Sequence, residues 1–592
     1  MPFARRLSGG SRSTAFSFKV TRGQRLTAVI AIAAATLLVG RAAAIVYSDG
    51  EWYANLGAVS VWNSRVSSSI WMFGLAIIVG IAFAWINVSA VRRSVVALIV
   101  PKRLGNVEFG EEVPSTRLRA LTAAVSVGVA VVSLAALPSW TTLALWRSDV
   151  TFAETDPYFI LDLSHFVSWL PLEIGAYQWC LTLFAITAIL VVALYSLTPS
   201  LSWDTHGMHV TPYARRHISV LGALLLLFAA WGFRLDAFRE LVHGSGVDGV
   251  LTRIDHVWLI PTDLALSLVS IGAAVVLLVA GWMGQTTTAF ASVSVVIAST
   301  IGSQVLGPWI SARVASEPSS ASAERPYVET RIDFNARAFP REAVAPSVRF
   351  LADSTLLANA GQIQIRGALA DIVFPGALGA AVLSDVPRII SAPRLGDGLA
   401  RLMHAWSEQN PRLLANDVKA SDAFVRERDI RTRVAAIAPV FAMSTAIGAI
   451  PTARGVLWVV DLYSASETYP LSAPHQLNRS RITYRRHAAT AYVSGGTATT
   501  VLVPDSALDP VARAWFTGHP GRYIVPRVPT DLISPPPVAP VQPGASSAID
   551  SVFRQNVGRI YERMRAMLDS GNLREFGTAF DTLGIMIRGR RR

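Results

Sequence analysis

The chain has 592 residues, of which 52% are hydrophobic and 16% are charged, and its formal net charge is +13. Soluble globular proteins carry about 25% charged residues, so this composition argues against a wholly soluble protein. The single cysteine, Cys180, excludes an intramolecular disulfide and the zinc sites that need several thiolates. Much of the positive charge lies in short loops beside apolar runs, where basic residues set the orientation of a protein in the membrane. We therefore expect no nucleic-acid partner.

The N-terminal residues 1–25 are rich in arginine and contain no acid, which predicts a cytoplasmic flank. The first apolar run covers about residues 26–46 and predicts a first transmembrane helix. Near its end, Ala42-Ala43-Ala44 resembles a signal-peptidase site, so cleavage of this segment stays an alternative.

Six further apolar runs predict six more spans, because about 20 helical residues cross about 30 Å of hydrocarbon. They lie near residues 69–90, 119–138, 176–197, 217–236, 259–282 and 287–309. Basic residues concentrate in the loops after the second and fourth runs, and the alternate loops are acidic or mixed in charge. The positive-inside rule then predicts a multi-pass protein of the bacterial inner membrane, with its N-terminus inside and everything after about residue 310 outside.

Two predicted outer loops are unusually aromatic. Residues 156–179 combine acids with apolar residues, which predicts a short interfacial helix whose Phe159, Phe166 and Trp169 face lipid or neighbouring helices. Residues 249–266 have the same character and lead directly into a span. We expect both loops to lie beneath the C-terminal half of the chain.

Four ionisable residues lie within or near the ends of predicted spans, namely Arg41, Arg234, Asp236 and Asp263. Such residues are costly in a bilayer and are therefore functional candidates. Arg234 and Asp236 lie where a helix meets the interface, and arginine can extend its charged end towards water. Asp263 follows Pro261 at a helix start, where the helix dipole favours a carboxylate. An ion or proton pathway through these residues stays an alternative to structural roles.

After the predicted transmembrane domain, residues 26–310, the composition changes. We expect a linker and docking helix over 311–344, an extracytoplasmic α+β domain over 345–523, a Pro-rich linker over 524–546 and a helical hairpin over 547–592. Within the first of these segments, 327–339 should be helical and partly buried against the outer loops.

Local patterns predict the elements of the α+β domain. Residues 398–409 and 420–439 have helical spacing, with Ser421 as a candidate cap of the second helix. Val456 to Leu462 predicts a strand, and 482–503 predicts a hairpin around Ser494-Gly495-Gly496. Further predicted elements are short β-rich pieces within 345–400 and a helix that begins at Asp509-Pro510.

Catalytic motifs are scarce: the sequence has no HExxH, Walker A, GxSxG or GxGxxG motif in a strand–turn–helix context. Asp162 with His165, and Asp255 with His256, could perform acid–base chemistry, but neither pair has an identifiable nucleophile. We therefore assign no catalytic, metal or cofactor residue and expect no cofactor. The candidate functional residues are Asp162, His165, Arg234, Asp236, Asp255, His256 and Asp263.

Several longer stretches follow one another in a characteristic order, including DPYFILDLSHFVSWLP, ERPYVETRIDFNARAF, GVLWVVDLYSASETYP and TYRRHAATAYVSGGTATTVLVPDSALDPVARAWFTGHPG. By these stretches and their order, the chain resembles a bacterial group catalogued as uncharacterised protein family 0182. The resemblance implies a large membrane protein with about seven spans, a large outer domain and no established activity. This chain is shorter than is usual for that family, mainly after Pro520 and around 350–400, so a ligand site in those parts would be absent.

The sequence predicts a polytopic α-helical membrane domain followed by an α+β extracytoplasmic domain and a helical hairpin. We expect a non-catalytic envelope scaffold or assembly protein, in contact with the lipid bilayer and with an envelope protein, lipid or glycan. A transporter or channel is one alternative, and an envelope enzyme acting on a lipid-linked or glycan substrate is another. The oligomeric state stays open.

Overall fold

The computed structural model describes residues 22–98, 103–104, 107–108, 115–198, 200–204, 207–315, 320–340, 363, 370–373, 381–384, 391–534, 546–569 and 573–589. The chain divides into two compact units, Met1–Ser534 and Pro535–Arg592. The second unit contains two helices that pack against each other, Ser546–Asp569 and Leu573–Gly589.

Seven helices in the described part of the chain are long and apolar enough to cross a membrane, which agrees with the predicted number. A short helix, α4, lies between the third and fourth of them. In chain order the helices are α1 (Arg22–Leu56), α2 (Val59–Leu98), α3 (Ser115–Ser133), α4 (Trp140–Arg147), α5 (Leu170–Ser196), α6 (Pro212–Val242), α7 (Ile260–Met283) and α8 (Thr286–Ala315).

In both aromatic loops, helical structure begins earlier in the chain than the predicted start of the following span. A π-helical turn, His165–Trp169, leads into α5, and a second, Asp255–Leu259, leads into α7. Both α5 and α7 have proline in the first turn, where the missing amide donor costs nothing and the fixed φ suits a helix. The predicted short interfacial helix is therefore the first part of the fourth long helix, and its Phe166 is fully buried.

Helix α1 continues past the predicted end of its span near residue 46, and α2 begins before the predicted start of its span near residue 69. The two helices are joined by a short turn at Gly57, whose φ is +74°. At about 1.5 Å per residue, the 40 residues of α2 reach about 60 Å, twice the hydrocarbon thickness of a bilayer. The expected loop between the first two spans is thus a helical hairpin. We call residues 47–66 the hairpin tip.

The sheet domain is built around strand β10. This strand pairs with β13, β9 and β8, and β13 pairs with β14, all antiparallel. The predicted strand and the predicted hairpin around Ser494-Gly495-Gly496 are both confirmed. The strands of this sheet are β8 (Phe441–Met443), β9 (Gly448–Thr452), β10 (Gly455–Ser466), β13 (Tyr484–Ser494) and β14 (Thr500–Pro504).

The other described strands form small antiparallel sheets. The pairs are β1 (Arg103–Leu104) with β2 (Val107–Glu108), β3 (Leu201–Asp204) with β4 (Gly207–Val210), and β11 (His475–Leu477) with β12 (Ser480–Ile482), and a three-stranded sheet contains β5 (Ala370–Val373), β6 (Ala381–Leu383) and β7 (Ala423–Val425). Most of the β-rich pieces expected within 345–400 lie outside the described residues.

The prediction of one helix over 420–439 is wrong in its first half. Ala423–Val425 pairs with β6 as a strand, and the helix covers only Ile430–Ile437. Its cap is Asp429, whose carboxylate accepts the Thr432 amide at 2.8 Å, so the expected cap Ser421 is also wrong. The four polar residues 426–429 separate two short apolar segments. Their apolar residues happen to follow helical spacing, which is why the sequence predicted a single helix.

The remaining helices of the first unit are α9 (Ser320–Ala338), α10 (Leu399–Ser407), α11 (Ile430–Ile437), α12 (Pro510–Gly518) and α13 (Thr530–Ile533). The predicted start of α12 is confirmed, because Asp509 caps it by accepting the Val511 amide at 3.2 Å. Helix α9 covers the predicted helix 327–339 up to Ala338. It begins seven residues earlier, at Ser320, in the part of 311–344 that was expected to be a linker. Chain 524–534 packs on the sheet through Leu532 before the first unit ends.

The core of the sheet domain includes residues of the helix bundle. Trp52, Tyr53 and Val61 of the hairpin tip belong to the same buried cluster as Trp458 of β10 and Trp515 of α12. The domain and the first two long helices therefore share one hydrophobic core.

Candidate functional site

Two aspartates fold the segment that precedes α5. Buried Asp156 accepts the amides of Tyr158, Phe159 and Leu161 at 2.9, 2.6 and 2.9 Å. Asp162 accepts the amides of Ser164 at 2.8 Å and Phe152 at 3.3 Å. Partial burial raises the pKa of Asp162, but these hydrogen bonds outweigh it, and the pKa lies below its usual value. Asp162 is therefore a charged residue that holds a turn.

His165 lies at the start of the first π-helical turn, against the ring of Phe238 at 5.3 Å between centroids. Its Nε2 atom is buried and has no hydrogen-bond partner among the described residues. The side chain lines a small polar pocket of about 250 Å³ together with Asp149, Ser164, Ser168 and Trp169. We call this cavity the polar pocket.

Arg234 forms an ion pair that the sequence did not predict. Its Nη1 atom lies 2.5 Å from Oε1 of Glu173, and its guanidinium stacks on Phe238 at 5.2 Å. The indoles of Trp231 and Trp169 each donate to the same carboxylate at 3.0 Å. Glu173 therefore fixes α5 against α6, and it brings Arg234 to the same phenylalanine as His165.

Sequence reasoning missed Glu173 because it counted this residue among the acids of an outer loop. The signal was the spacing from Trp169 to Glu173, four residues apart, which places both side chains on one helix face. That spacing becomes informative only if the helix begins near residue 165 rather than near 176.

Asp255 and His256 form a separate cluster. Asp255 is fully buried and accepts four hydrogen bonds, from the amide and hydroxyl of Ser245 and of Thr252, at 2.5 to 3.0 Å. His256 Nδ1 shares a hydrogen bond with the Tyr327 hydroxyl at 2.9 Å. The two side chains therefore serve different neighbours, and each stabilises a loop or an interface.

Asp236 and Asp263 do not join either cluster by a direct bond. Asp236 pairs with Arg239 on the next turn of α6 at 2.7 Å. Asp263 lies in the first turn of α7 and has neither a hydrogen bond nor an ion pair within the described part of the chain. Its position agrees with the favourable end of a helix dipole.

Helix α9 lies between the bundle and the sheet domain and bonds to both. On the bundle side, Glu324 accepts the Arg253 amide at 3.0 Å and Arg331 donates to the Leu251 carbonyl at 2.6 Å. On the domain side, Arg486 donates to the Arg337 carbonyl at 2.7 Å. Phe334 and Ala338 are buried in a cluster that includes Phe166, Phe238, Tyr469 and Tyr484. This helix therefore joins the two aromatic loops to the sheet.

An apolar groove of about 730 Å³ lies beside the Glu173–Arg234 pair, between α2, α4, α5 and α6. Four indoles line it, those of Trp71, Trp169, Trp179 and Trp231, and Arg147 and Glu173 are its charged residues. Trp169 also lines the polar pocket, so the groove and the polar pocket are adjacent. We call this cavity the tryptophan groove.

A third titratable cluster lies on the sheet. His487 Nδ1 is 2.6 Å from Asp505, and its Nε2 is 3.7 Å from Asp461. Burial alone would lower the pKa of His487, but the two carboxylates raise it above its usual value. Across the described residues, no group of three or more His, Cys, Asp or Glu side chains is arranged to hold a metal ion.

The fold and these contacts define a class of protein: a bundle of seven long apolar helices with a mixed helix–sheet domain fixed to one end. The chain belongs to the uncharacterised protein family UPF0182, whose family model matches residues 26–364 and 391–531. This match confirms the resemblance seen in the sequence.

Curated bacterial relatives bear the same family description. A UPF0182 protein of Cupriavidus necator is 26% identical over 321 residues, which cover 54% of this chain and 35% of the relative. One of Trichodesmium erythraeum is 23% identical over 351 residues, 56% of this chain and 37% of the relative. One of Synechococcus sp. (strain JA-2-3B'a(2-13)) is 30% identical over 203 residues, 34% and 21% respectively. The chain thus matches between 21% and 37% of the length of these relatives. No solved structure matches the chain.

Proposed function

We propose that the chain is a multi-pass protein of the bacterial cytoplasmic membrane that acts as a non-catalytic scaffold. Its bundle crosses the bilayer, and its sheet domain is held at the extracytoplasmic surface, where an envelope protein, lipid or glycan binds. The observation that supports this role is the core shared by the hairpin tip and the sheet domain. A domain that only had to be tethered near the membrane would need a linker and not a common core.

The buried aromatic residues give this junction its strength. Trp52 and Tyr53 are almost fully buried and pack edge to face at 5.0 Å. Burying a large apolar side chain contributes about 1.5–3 kcal/mol, so several such residues resist separation of the domain from α1. Polar contacts then fix the orientation: Tyr53 donates to the Ala436 carbonyl at 3.0 Å, and Ser60 donates to the Pro520 carbonyl at 2.8 Å.

The contacts of Arg234 and Asp236 favour this role over transport, whereas Asp263 in the first turn of α7 has no partner among the described residues. A transporter would need ionisable groups that are free to bind and release an ion. Arg234 is paired with Glu173 and Asp236 with Arg239, both towards the domain end of α6. Both ion pairs stabilise the helix bundle close to the sheet domain.

The enzyme alternative gains less support from the geometry, because of its four candidate residues only His165 lines a pocket with a nitrogen that is unpaired among the described residues. Acid–base chemistry needs a group within reach of a substrate proton. Asp162 and Asp255 each direct their carboxylates to hydrogen-bond donors of their own loops, and His256 is bonded to Tyr327. A role in shaping the surface beneath the sheet domain accounts for all three residues.

The proposed orientation predicts the accessibility of two single cysteines. In a Cys180→Ala background, Arg479→Cys, on the exposed β11–β12 hairpin, should react with a membrane-impermeant maleimide in intact cells. Gln285→Cys, exposed in the turn between α7 and α8 at the opposite end of the bundle, should react only after permeabilisation. The reverse labelling pattern would place the sheet domain in the cytoplasm and contradict the proposed location.

The scaffold role is tested by site-specific photo-crosslinking in living cells. A photoreactive residue is placed at Gln476, Arg479 or Asp417, which are exposed on the domain, and at Gln285 as the matched control. A scaffold should give a discrete adduct at one or more domain positions and none at Gln285. Absence of an adduct at all three domain positions, or the same adduct at Gln285, would remove the support for a scaffold.

A further inference from the structure

The tryptophan groove opens on the surface that faces hydrocarbon if the bundle crosses a bilayer. Trp71 and Leu75 of α2 line it, and they are 69% and 62% exposed. Both residues lie within the candidate span Val59–Ser94. The volume of the tryptophan groove, about 730 Å³, is within the range of small-molecule sites, about 300–1,000 Å³. The shape and lining therefore suit the acyl chain of a membrane lipid.

Each of the two cavities is lined by one exposed charged side chain, and the two residues are two positions apart in the chain. Arg147 lines the groove, and its guanidinium has no hydrogen bond or ion pair among the described residues. Asp149 lines the polar pocket, and its carboxylate is likewise unpaired in the part of the chain that the structure describes. A cation and an anion at adjacent cavities match a headgroup that has one charge of each sign.

Two buried ring nitrogens reinforce the case for a ligand. Trp179 lines the groove and is only 8% exposed, yet its indole N–H has no acceptor among the described residues. His165 Nε2, beside the polar pocket, has no partner in the same set of residues. Buried polar groups are normally hydrogen-bonded, so these two nitrogens are available to a ligand that enters the adjoining cavities. An ester carbonyl is an acceptor of the kind that an indole N–H requires.

We propose that the tryptophan groove and the polar pocket together bind one glycerophospholipid with a phosphoethanolamine headgroup. An acyl chain occupies the groove between α2 and α5, the phosphate pairs with Arg147, and the ammonium pairs with Asp149. Choline lacks the N–H donors that a carboxylate accepts, and glycerol lacks the positive charge, so ethanolamine fits best. This site does not depend on the scaffold role.

The test uses full-length protein in detergent, mixed with equal amounts of phosphatidylethanolamine, phosphatidylglycerol and phosphatidylcholine. Native mass spectrometry then counts the lipids retained. We expect one phosphatidylethanolamine to be retained about tenfold over each competitor, because only its headgroup offers both a phosphate to Arg147 and charged N–H donors to Asp149. Equal retention of the three lipids would identify ordinary annular lipid, and preferential retention of phosphatidylglycerol would contradict the assigned headgroup. Either result would overturn the proposal.

Variants separate the headgroup contacts from the groove. Arg147→Gln should lower retention about tenfold, and Asp149→Asn should remove the preference over phosphatidylcholine. Ala176→Phe should reduce retention of all lipids by filling the groove. Arg119→Gln is the matched control, since this arginine is exposed on α3 away from the groove. The thermal midpoint of each variant verifies folding, and wild-type retention by folded Arg147→Gln and Ala176→Phe would contradict the site.

Discussion

Replacing Arg433 by methionine should lower the free energy of unfolding of the sheet domain by about 3 kcal/mol or more. The Arg433 side chain is completely buried between α11, the turn before β14 and the hairpin tip. Burial lowers its pKa to about 10, so the guanidinium stays charged at neutral pH. Methionine fills a similar volume but donates no hydrogen bond.

Several acceptors depend on this one guanidinium. Arg433 donates to the carbonyls of Arg426 and Ala498 at 2.9 Å each and to the Thr500 hydroxyl at 2.9 Å. It also lies over the ring of Trp52 at 5.5 Å. Each buried acceptor that loses its donor costs about 1–3 kcal/mol, and the cation–π contact is lost as well. The effect should therefore be felt in the domain and at its junction with α1.

The measurement is the thermal midpoint of the full-length protein in detergent, together with its resistance to limited proteolysis. Arg431→Met, two residues away on the same helix, is the matched control. Arg431 also donates to carbonyls, those of Ser444 and Thr445, but these contacts are accessible to water. Its loss should cost less than about 1 kcal/mol, since water can replace the donor. Equal midpoints for the two variants would show that burial of Arg433 does not stabilise the domain.

Local sequence patterns were sufficient to predict the elements that are determined by neighbouring residues. Length and hydropathy predicted seven long apolar helices, and the glycine turn at 495–496 predicted the hairpin of β13 and β14. The Asp509-Pro510 start of α12 was also correct, because a cap and a proline act within one turn. In each case the residues that decide the structure are neighbours in the chain.

The candidate site was harder to predict, because its contacts join distant parts of the chain. Glu173 and Arg234 are 61 residues apart, and His256 and Tyr327 are 71 apart. Hydrophobic spacing indicates which face of a helix is buried but not which partner covers it. The hairpin tip illustrates the same limit: residues 47–66 mix polar and aromatic side chains, and only the sheet domain packed on them makes them a helical core segment.

Replacing Arg426 by methionine should destabilise the junction between the hairpin tip and the domain by about 3 kcal/mol. Arg426 lies 2.7 Å from Asp49 at the end of α1 and 3.1 Å from Glu408 that follows α10. The side chains of Arg426 and Asp49 are only 14% and 15% exposed. Removal of the cation leaves Glu408 without this partner and leaves Asp49 with only Arg65, whose Nη1 atom is 3.8 Å away and whose side chain is 41% exposed, so one change should have a large effect.

A double variant distinguishes this mechanism from a simple loss of packing. Asp49→Asn combined with Arg426→Met removes the cation and one of its two carboxylate partners, so it should be more stable than the sum of the single effects predicts. Arg454→Met is the matched control: Arg454 pairs with Asp531 at 2.8 Å, but their side chains are 36% and 55% exposed. An exposed pair contributes about 0–1 kcal/mol, so that change should be nearly neutral. The thermal midpoints of the wild type, of Asp49→Asn, of Arg426→Met and of the double variant give the coupling energy. Strict additivity between Asp49 and Arg426 would mean that the domain is attached to α1 by its apolar core alone.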